Sequence, residues 1–583
     1  MNRIGYLGIF VFLCGSLVPA ARQPAENLDR GLIAVVQSPS RVYLGWRLLK
    51  TDPADIGFHL YRITDGGEPV KLHSEPITNS TNFADESAPL DKPNRWRLTM
   101  VLGGEEKEAA TVDLPANPPV RSYISIPFQG NYVCSKVAIA DLNGDGRYDF
   151  VIKQPQQTTD PGVWQKSTDT FKVEAYLHDG TFLWRKDLGW NIEQGVWWSP
   201  MVVFDFDGDG RAEAALKTAP TDVDYRNPDG HPYPGRVMSG PEYVSLLDGM
   251  TGRELDRADW PARGRVEDWG DEKNNRASRH LLGAAYLDGV RPSLIVLRGT
   301  YTRMRVDAYN VADRKLQKVW SWDGDAEVPP VRGQGMHGMH AADVDGDGRD
   351  EIILGAAVLD DNGKILWNTG LGHPDGCYVT DIYPQRPGLE ILYGIEPPQE
   401  KNGICIADAK TGEILWGCEH PTVHVHSQGL FGEFDPDNPG YEFYTGEKDR
   451  SRHWTYSVDG RLLSEESMST LAPTPLYWLD GPLKMIAEQG QIRRYKGEAV
   501  GRYEGRILAA ADILGDWREE LITTVPGELR IYTTTHLSRQ RRISLMQDAI
   551  YRLDVAMVSM GYFYPPQRSE YFALDVPPAV QKP

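Results

Sequence analysis

Asp343-Val-Asp345-Gly-Asp347-Gly348 is the stretch on which the reading of this chain turns. Two upstream stretches repeat it, Asp141-Leu-Asn143-Gly-Asp145-Gly146 and Asp205-Phe-Asp207-Gly-Asp209-Gly210. Alternate carboxylates on a tight glycine turn converge on a hard cation. A further acid stands eight residues after each first Asp: Asp149, Glu213 and Glu351. Oxygen donors at this spacing suit Ca²⁺, which takes about six to eight of them. The expected ligands are therefore Asp141, Asn143, Asp145 and Asp149, then Asp205, Asp207, Asp209 and Glu213, then Asp343, Asp345, Asp347 and Glu351. The competing reading is a polar turn that holds no ion. Recurrence at wide spacing marks a repeat protein.

Weaker copies fill the intervals: Tyr286-Leu-Asp-Gly289, Asp381-Ile-Tyr-Pro384, Glu433-Phe-Asp-Pro-Asp437, Tyr477-Trp-Leu-Asp480 and Asp512-Ile-Leu-Gly-Asp516. Most anchors precede a short apolar strand, such as Phe150-Val-Ile152 or Glu351-Ile-Ile-Leu354. Several repeats end in a hairpin cue closed by Leu-Trp, at Trp184, Trp367 and Trp416. Eight anchors predict an all-β fold, an eight-bladed β-propeller with calcium-binding loops over 120–583. Before it, alternating runs such as Val42-Tyr-Leu-Gly-Trp46 and Phe58-His-Leu-Tyr61 predict a small fibronectin-like β-sandwich over 28–116. A Pro-rich linker, Leu114-Pro-Ala-Asn-Pro-Pro119, joins the two.

With 583 residues the chain has room for a large core, and its 16 Trp and 27 Tyr among many Gly and Pro suit turn-rich β structure. A formal net charge of −20 excludes a nucleic-acid partner, which needs a basic surface. Arg3, the apolar run Ile4–Val18 and the small Ala20 and Ala21 predict a secretory signal peptide over 1–21, too short to span a bilayer. No later segment is apolar enough to cross a membrane. The expectation is a secreted or periplasmic monomer. Of the cysteines, Cys134, Cys377, Cys405 and Cys418 remain after cleavage, and no C-x-x-C pair exists. Either one disulfide, Cys405 with Cys418, or buried free thiols are compatible with that pattern.

A set of longer motifs narrows the reading. They include Arg30-Gly-Leu32, Leu44-Gly-Trp-Arg-Leu-Leu49, Ser239-Gly-Pro-Glu-Tyr243, Trp269-Gly-Asp271, Arg298-Gly-Thr-Tyr-Thr-Arg303 and Gly333-Gln-Gly335. Further along come Asn368-Thr-Gly-Leu-Gly-His373, Asp512-Ile-Leu-Gly-Asp-Trp-Arg-Glu519, Leu529-Arg-Ile-Tyr-Thr-Thr-Thr535 and Tyr551-Arg-Leu553. Together they resemble the family 11 rhamnogalacturonan lyases over nearly the whole mature chain. The resemblance implies a small N-terminal β-domain, an eight-bladed propeller studded with calcium, and cleavage of an acidic plant polysaccharide. Departures sit where that family does chemistry. An Asn-Asp pair before the first loop, which helps hold a substrate-side calcium, reads Ser135-Lys136 here. A Trp-Asp-Pro segment becomes Gln154-Pro155, an Arg becomes Gln428, and Arg506 is the nearest base to an expected Lys.

Lyases of this kind cleave by β-elimination at a uronate. The C5 proton leaves only if the neighbouring carboxylate is neutralised, a base accepts it and an acid assists the departing oxygen. Ca²⁺ is expected at several structural sites, with one near the substrate. Catalytic candidates are His337, His373, Tyr562 and Lys136. Lys136 either supplies a fixed ammonium or pairs with Asp141 or Asp145. His340, His424 and His426 are further imidazoles at equivalent positions. Substrate-binding candidates are Arg303, Tyr301, Lys217, His426 and Arg506, with Trp197, Trp198 and Trp454 as sugar-stacking platforms. Arg518 is assigned to structure, through Asp516 or Glu519. The polymer implied is the rhamnogalacturonan I backbone. Competing readings are a lyase on another uronate linkage, such as rhamnose–glucuronate, and a non-catalytic glycan-binding propeller.

Overall fold

The computed structural model describes residues 24–156 and 164–572; the expected signal segment over 1–21 lies outside them. The fold is all-β. Near the N-terminus, Ile33–Ser38, Arg41–Gly45 and Asn82–Asp85 form a three-stranded sheet. Gly57–Thr64, Val70–Lys71, Asn94–Leu102 and Glu105–Leu114 form a four-stranded one. Alternation decides which side chains meet between them. Trp46, Phe58, Leu60, Trp96 and Leu98 are wholly buried there, and the Trp96 indole donates to Asp85 at 2.9 Å.

Eight further four-stranded antiparallel sheets follow. Their first strands are Lys136–Ala140, Met201–Phe204, His280–Ala285, Gly335–Ala342, Pro374–Thr380, Leu430–Gly432, Thr474–Leu476 and Arg506–Ala511. These inner strands are buried along nearly their whole length, whereas outer strands such as Glu254–Asp259 alternate towards solvent. The eighth sheet is completed by Tyr123–Pro127, a strand that precedes the first sheet in sequence and pairs with Glu528–Tyr532. Arg506–Ala511 also contacts Lys136–Ala140, so the last sheet lies beside the first. The helix Ala549–Met557 is buried on every side and packs against the first strands of sheets one to four. Its two charged residues are buried as well and each is paired, Arg552 with Glu26 and Asp554 with His340.

The acidic loops are built identically. Asp141, Asp205 and Asp343 each accept backbone N–H bonds from the loop's two glycines at 2.7–3.0 Å. Those glycines sit at φ between 75° and 90°, which only glycine adopts without strain. The later acid caps the turn: Asp149 accepts from Leu142 N–H, Glu213 from Phe206 and Glu351 from Val344. The weaker repeats keep this cap, with Glu390 on Ile382, Glu442 on Phe434 and Glu520 on Ile513. The acid thus defines the repeat even where the glycines are gone. The Leu-Trp cues belong to the core: Trp184, Trp367 and Trp416 pack on Gly252, Gly412 and Gly460 of the following sheet. All four cysteines are buried free thiols, so the disulfide alternative falls away.

Candidate functional site

The starts of the first strands meet one another at the end opposite the acidic loops. Arg506 donates to the Ser135 carbonyl, Lys153 to Ser199, and Gly335 N–H to Thr300. The His280 ring lies 3.1 Å from the Trp197 carbonyl. His337 sits three positions into the Gly335–Ala342 strand, and His373 immediately precedes Pro374–Thr380. Asp375, two residues beyond His373, falls on the same side of its strand.

These residues converge. His337 Nε2 is 3.2 Å from His373 Nε2 and 3.2 Å from Asp375 Oδ1. His373 Nε2 stands 3.4 Å from Asp375 Oδ1 and 3.1 Å from Glu396 Oε2. His426 Nδ1 is 2.8 Å from Asp375 Oδ2, and His424 Nε2 is 3.3 Å from Glu396 Oε1. His373 Nδ1 bonds the Gly335 carbonyl, which leaves Nε2 as its lone-pair nitrogen. The Tyr301 hydroxyl reaches His337 Nε2 at 3.0 Å, and its ring lies 4.0 Å from that of His373. Trp197 and Tyr562 flank His337, with ring centres 4.8 and 4.4 Å away. Gly561 brings Tyr562 in: a Cβ there would lie 2.0 Å from the His337 carbonyl and from the Trp197 ring. Arg276 and Arg279 stack over Tyr301 at 4.0 and 4.9 Å.

Electrostatics mark this cluster as incomplete on its own. Burial pushes the Asp375 carboxyl up, yet His337, His373 and His426 pull it further down, and the net position is well below the usual carboxylate range. Burial, then the His373 charge, push His337 down to about 3. Asp375 Oδ1, Glu396 Oε2, His424 Nε2 and His426 Nδ1 are buried without a hydrogen bond of good geometry. Folded proteins rarely leave such atoms unsatisfied. One donor atom from each of His337, His373, Asp375 and Glu396 lies within 4.8 Å of the others. Two imidazoles and two carboxylates facing one point suit a divalent cation, and the nitrogens suit a first-row transition ion as well as a harder one.

The acidic loops differ in this respect. Asp205, Asp207 and Glu213 gather within 4.8 Å, as do Asp343, Asp345 and Asp347. Burial and then neighbouring negative charge push Glu213 up to about 9; burial does the same to Glu351, with Asp345 adding to it. Glu351 Oε1 is buried without a partner. Both loops fit a cation. In the first loop Asn143 donates to Asp145, and His178 stands 3.4 Å from Asp149 and 3.8 Å from Asp145. A basic ring thus stands beside two of the four expected ligands of this loop.

Other expected residues scatter. Arg303 is held by Asp323 at 2.6 Å and Asp325 at 3.2 Å, so it is committed within the protein. Lys217 lies 2.8 Å from Glu242, which Arg263 and Arg298 also grip. Arg518 pairs with Asp516 at 2.7 Å, a structural role. Trp197, Trp198 and Trp454 are at most 2 % exposed and make no sugar platform. Lys136 pairs with neither Asp141 nor Asp145; it stands beside Lys153 and Arg506. Sequence reading missed Asp375 and Glu396. The i, i+2 spacing of His373 and Asp375 is the signal that points to the first.

Comparison with known proteins places the geometry in a family. The model described as rhamnogalacturonan lyase family 11, C-terminal domain, matches residues 112–582. That of the rhamnogalacturonan I lyases beta-sheet domain matches residues 23–114. The chain is 36% identical to the rhamnogalacturonan exolyase YesX of Bacillus subtilis (strain 168), covering 95% of this chain and 96% of the relative. It is also 36% identical to the endolyase YesW of that organism, covering 94% and 91%. The crystal structure of exotype rhamnogalacturonan lyase YesX superposes with a TM-score of 0.86 at 34% identity, over 97% of this chain and 98% of that one.

Proposed function

Because the chain belongs to rhamnogalacturonan lyase family 11, we propose that it cleaves the rhamnogalacturonan I backbone by β-elimination at a galacturonate. The observation that carries this reading is the convergence of His337, His373, Asp375 and Glu396, with His424 and His426 beside them, at one end of the inner strands. His337, His373, Asp375 and Glu396 would hold a divalent cation. When bound, that cation supplies positive charge beside the substrate carboxylate, which makes the C5 proton easier to remove. This role suits two histidines whose ring nitrogens face carboxylates and which are at most 2 % exposed.

Proton transfer then falls to groups nearer the surface. His424 and His426 are partly exposed, each anchored on one carboxylate, and their orientation prepares an imidazole nitrogen to accept the C5 proton. Tyr562, in ring contact with His337, is placed to protonate the departing 4-oxygen. Trp197 excludes water from behind His337.

The eight four-stranded sheets form, on this reading, an eight-bladed propeller. The Tyr123–Pro127 strand that completes the eighth sheet, and the helix in the middle of the inner strands, support it. Ca²⁺ occupies the loops at Asp205 and Asp343, a reading supported by three carboxylates gathering within 4.8 Å in each. The protein acts outside the cytoplasm, a reading supported by the apolar run Ile4–Val18. One chain builds the whole site, which suits a monomer.

Incubation with rhamnogalacturonan I and, separately, with a rhamnose–glucuronate gum tests the substrate. Ultraviolet absorbance of an unsaturated uronate is expected on rhamnogalacturonan I. A signal on the gum alone transfers the activity to the other linkage, which the Ser135-Lys136 departure favours.

A further inference from the structure

Lys136, Lys153 and Arg506 form a cluster of basic groups to which, among the described residues, no carboxylate is paired. Lys136 opens the first strand of the first sheet and lies directly opposite Lys153 on the second. Side chains so paired stand about 5 Å apart at Cβ, and like charges there repel. Arg506 opens the first strand of the neighbouring eighth sheet. It donates to the Cys134 and Ser135 carbonyls at 2.7 and 2.8 Å. The Lys153 ammonium donates to the Ser199 carbonyl at 2.7 Å. Lys136 is only 8 % exposed, and among the described residues its ammonium makes no hydrogen bond or ion pair. Glu174, on the same sheet, is engaged by Tyr132, Tyr176, Gln154 and Arg185. Burial, then Lys153 and Arg506, push the Lys136 ammonium well below its usual range.

A buried charge is ordinarily paired. This one stands beside two further basic groups, and the acceptors that Lys153 and Arg506 use among the described residues are backbone carbonyls. The cluster also belongs to the same end as the histidines, since Ser199 follows Trp197, whose ring lies on His337. We propose that Lys136, Lys153 and Arg506 form a carboxylate subsite that takes a second uronate of the polymer while the scissile uronate lies at the histidine cluster. This rests on the lyase reading. The chemistry recognised is a carboxylate on an extended chain of alternating acidic and neutral sugars, gripped by charge-assisted hydrogen bonds. Lys136 is here a specificity residue and takes no part in proton transfer.

The test is Lys136→Met in the full mature chain, assayed on rhamnogalacturonan I polymer and on its shortest cleaved oligosaccharide. On the polymer KM is expected to rise about tenfold, with kcat falling less than about threefold. On an oligosaccharide carrying a single uronate the variant and the parent are expected to share one KM. The melting temperature should rise, because an unpartnered buried charge is removed; Lys136→Arg should restore the polymer KM. An unchanged polymer KM overturns the proposal, as does a variant that fails to fold, since that gives Lys136 a structural task. Inorganic sulfate as competitor separates the sources. Sulfate inhibition lost in the variant while the polymer KM stays at the parent value assigns the cluster to free anions and also overturns it. Absence of any unsaturated product from the parent protein defeats the lyase reading instead.

Discussion

Asp375→Asn lowers kcat on rhamnogalacturonan I by at least about 100-fold, with the protein still folded. The substitution keeps the shape of the side chain and removes the one charge that three histidines share. Asp375 Oδ1 faces His337 and His373, and Oδ2 faces His426. Among the described residues no other carboxylate touches all three. With an amide there, the donor set loses an anionic oxygen, and His426 loses the carboxylate on which it is anchored. Removing one partner of a buried charged network costs about 3–5 kcal/mol of stability. The melting temperature therefore falls as well, and circular dichroism must show that the variant remains native at the assay temperature. Turnover within twofold of the parent would remove this cluster from the chemistry.

Stripping Ca²⁺ with a chelator lowers the melting temperature reversibly. The loops at Asp205 and Asp343 hold three or more carboxyl groups that repel one another, and burial already pushes Glu213 and Glu351 up to about 9. A cation relieves that repulsion in the folded state alone. A site filled at about 100 times its Kd contributes about 2.7 kcal/mol. Asp347→Ala removes one ligand of the third loop, so this variant should recover less of its stability on re-addition of calcium. The first loop should add less, because Asn143 replaces one of its carboxylates and His178 stands beside Asp145 and Asp149. Identical melting curves with chelator and with calcium would contradict the loop assignment.

Much of the fold is legible because its signals are local. A first Asp and two glycines fold the loop onto its own backbone in three sheets, and a later acid caps the turn in six, so spacing places those strand starts. The Tyr286 and Tyr477 copies are capped by Asp350 and Glu519 from elsewhere in the chain. Leu-Trp hairpins announce the packing of one sheet on the next. The metal-site geometry is less legible. Asn143 and Asp141 match the spacing as well as Asp207 and Asp205 do, yet only the turn after the Lys172–Tyr176 strand of the same sheet brings His178 beside the first loop. The same limit governs the site. His337 and His373 stand out by residue type and position, but Glu396 joins them from the end of the Glu390–Ile395 strand, a pairing set by register. Arg303 and Lys217 look like substrate clamps until Asp323 and Glu242 are seen to hold them. Lys136 is legible as a substitution and becomes interpretable only when Lys153 and Arg506 stand beside it.

Elimination is the central claim, and digestion of rhamnogalacturonan I in heavy-oxygen water tests it most directly. Mass spectrometry of the fragments should show one unsaturated uronate end per cleavage, with no oxygen from solvent incorporated at the new reducing end. Fragments that carry solvent oxygen and no unsaturated sugar would mean hydrolysis, and would contradict the account.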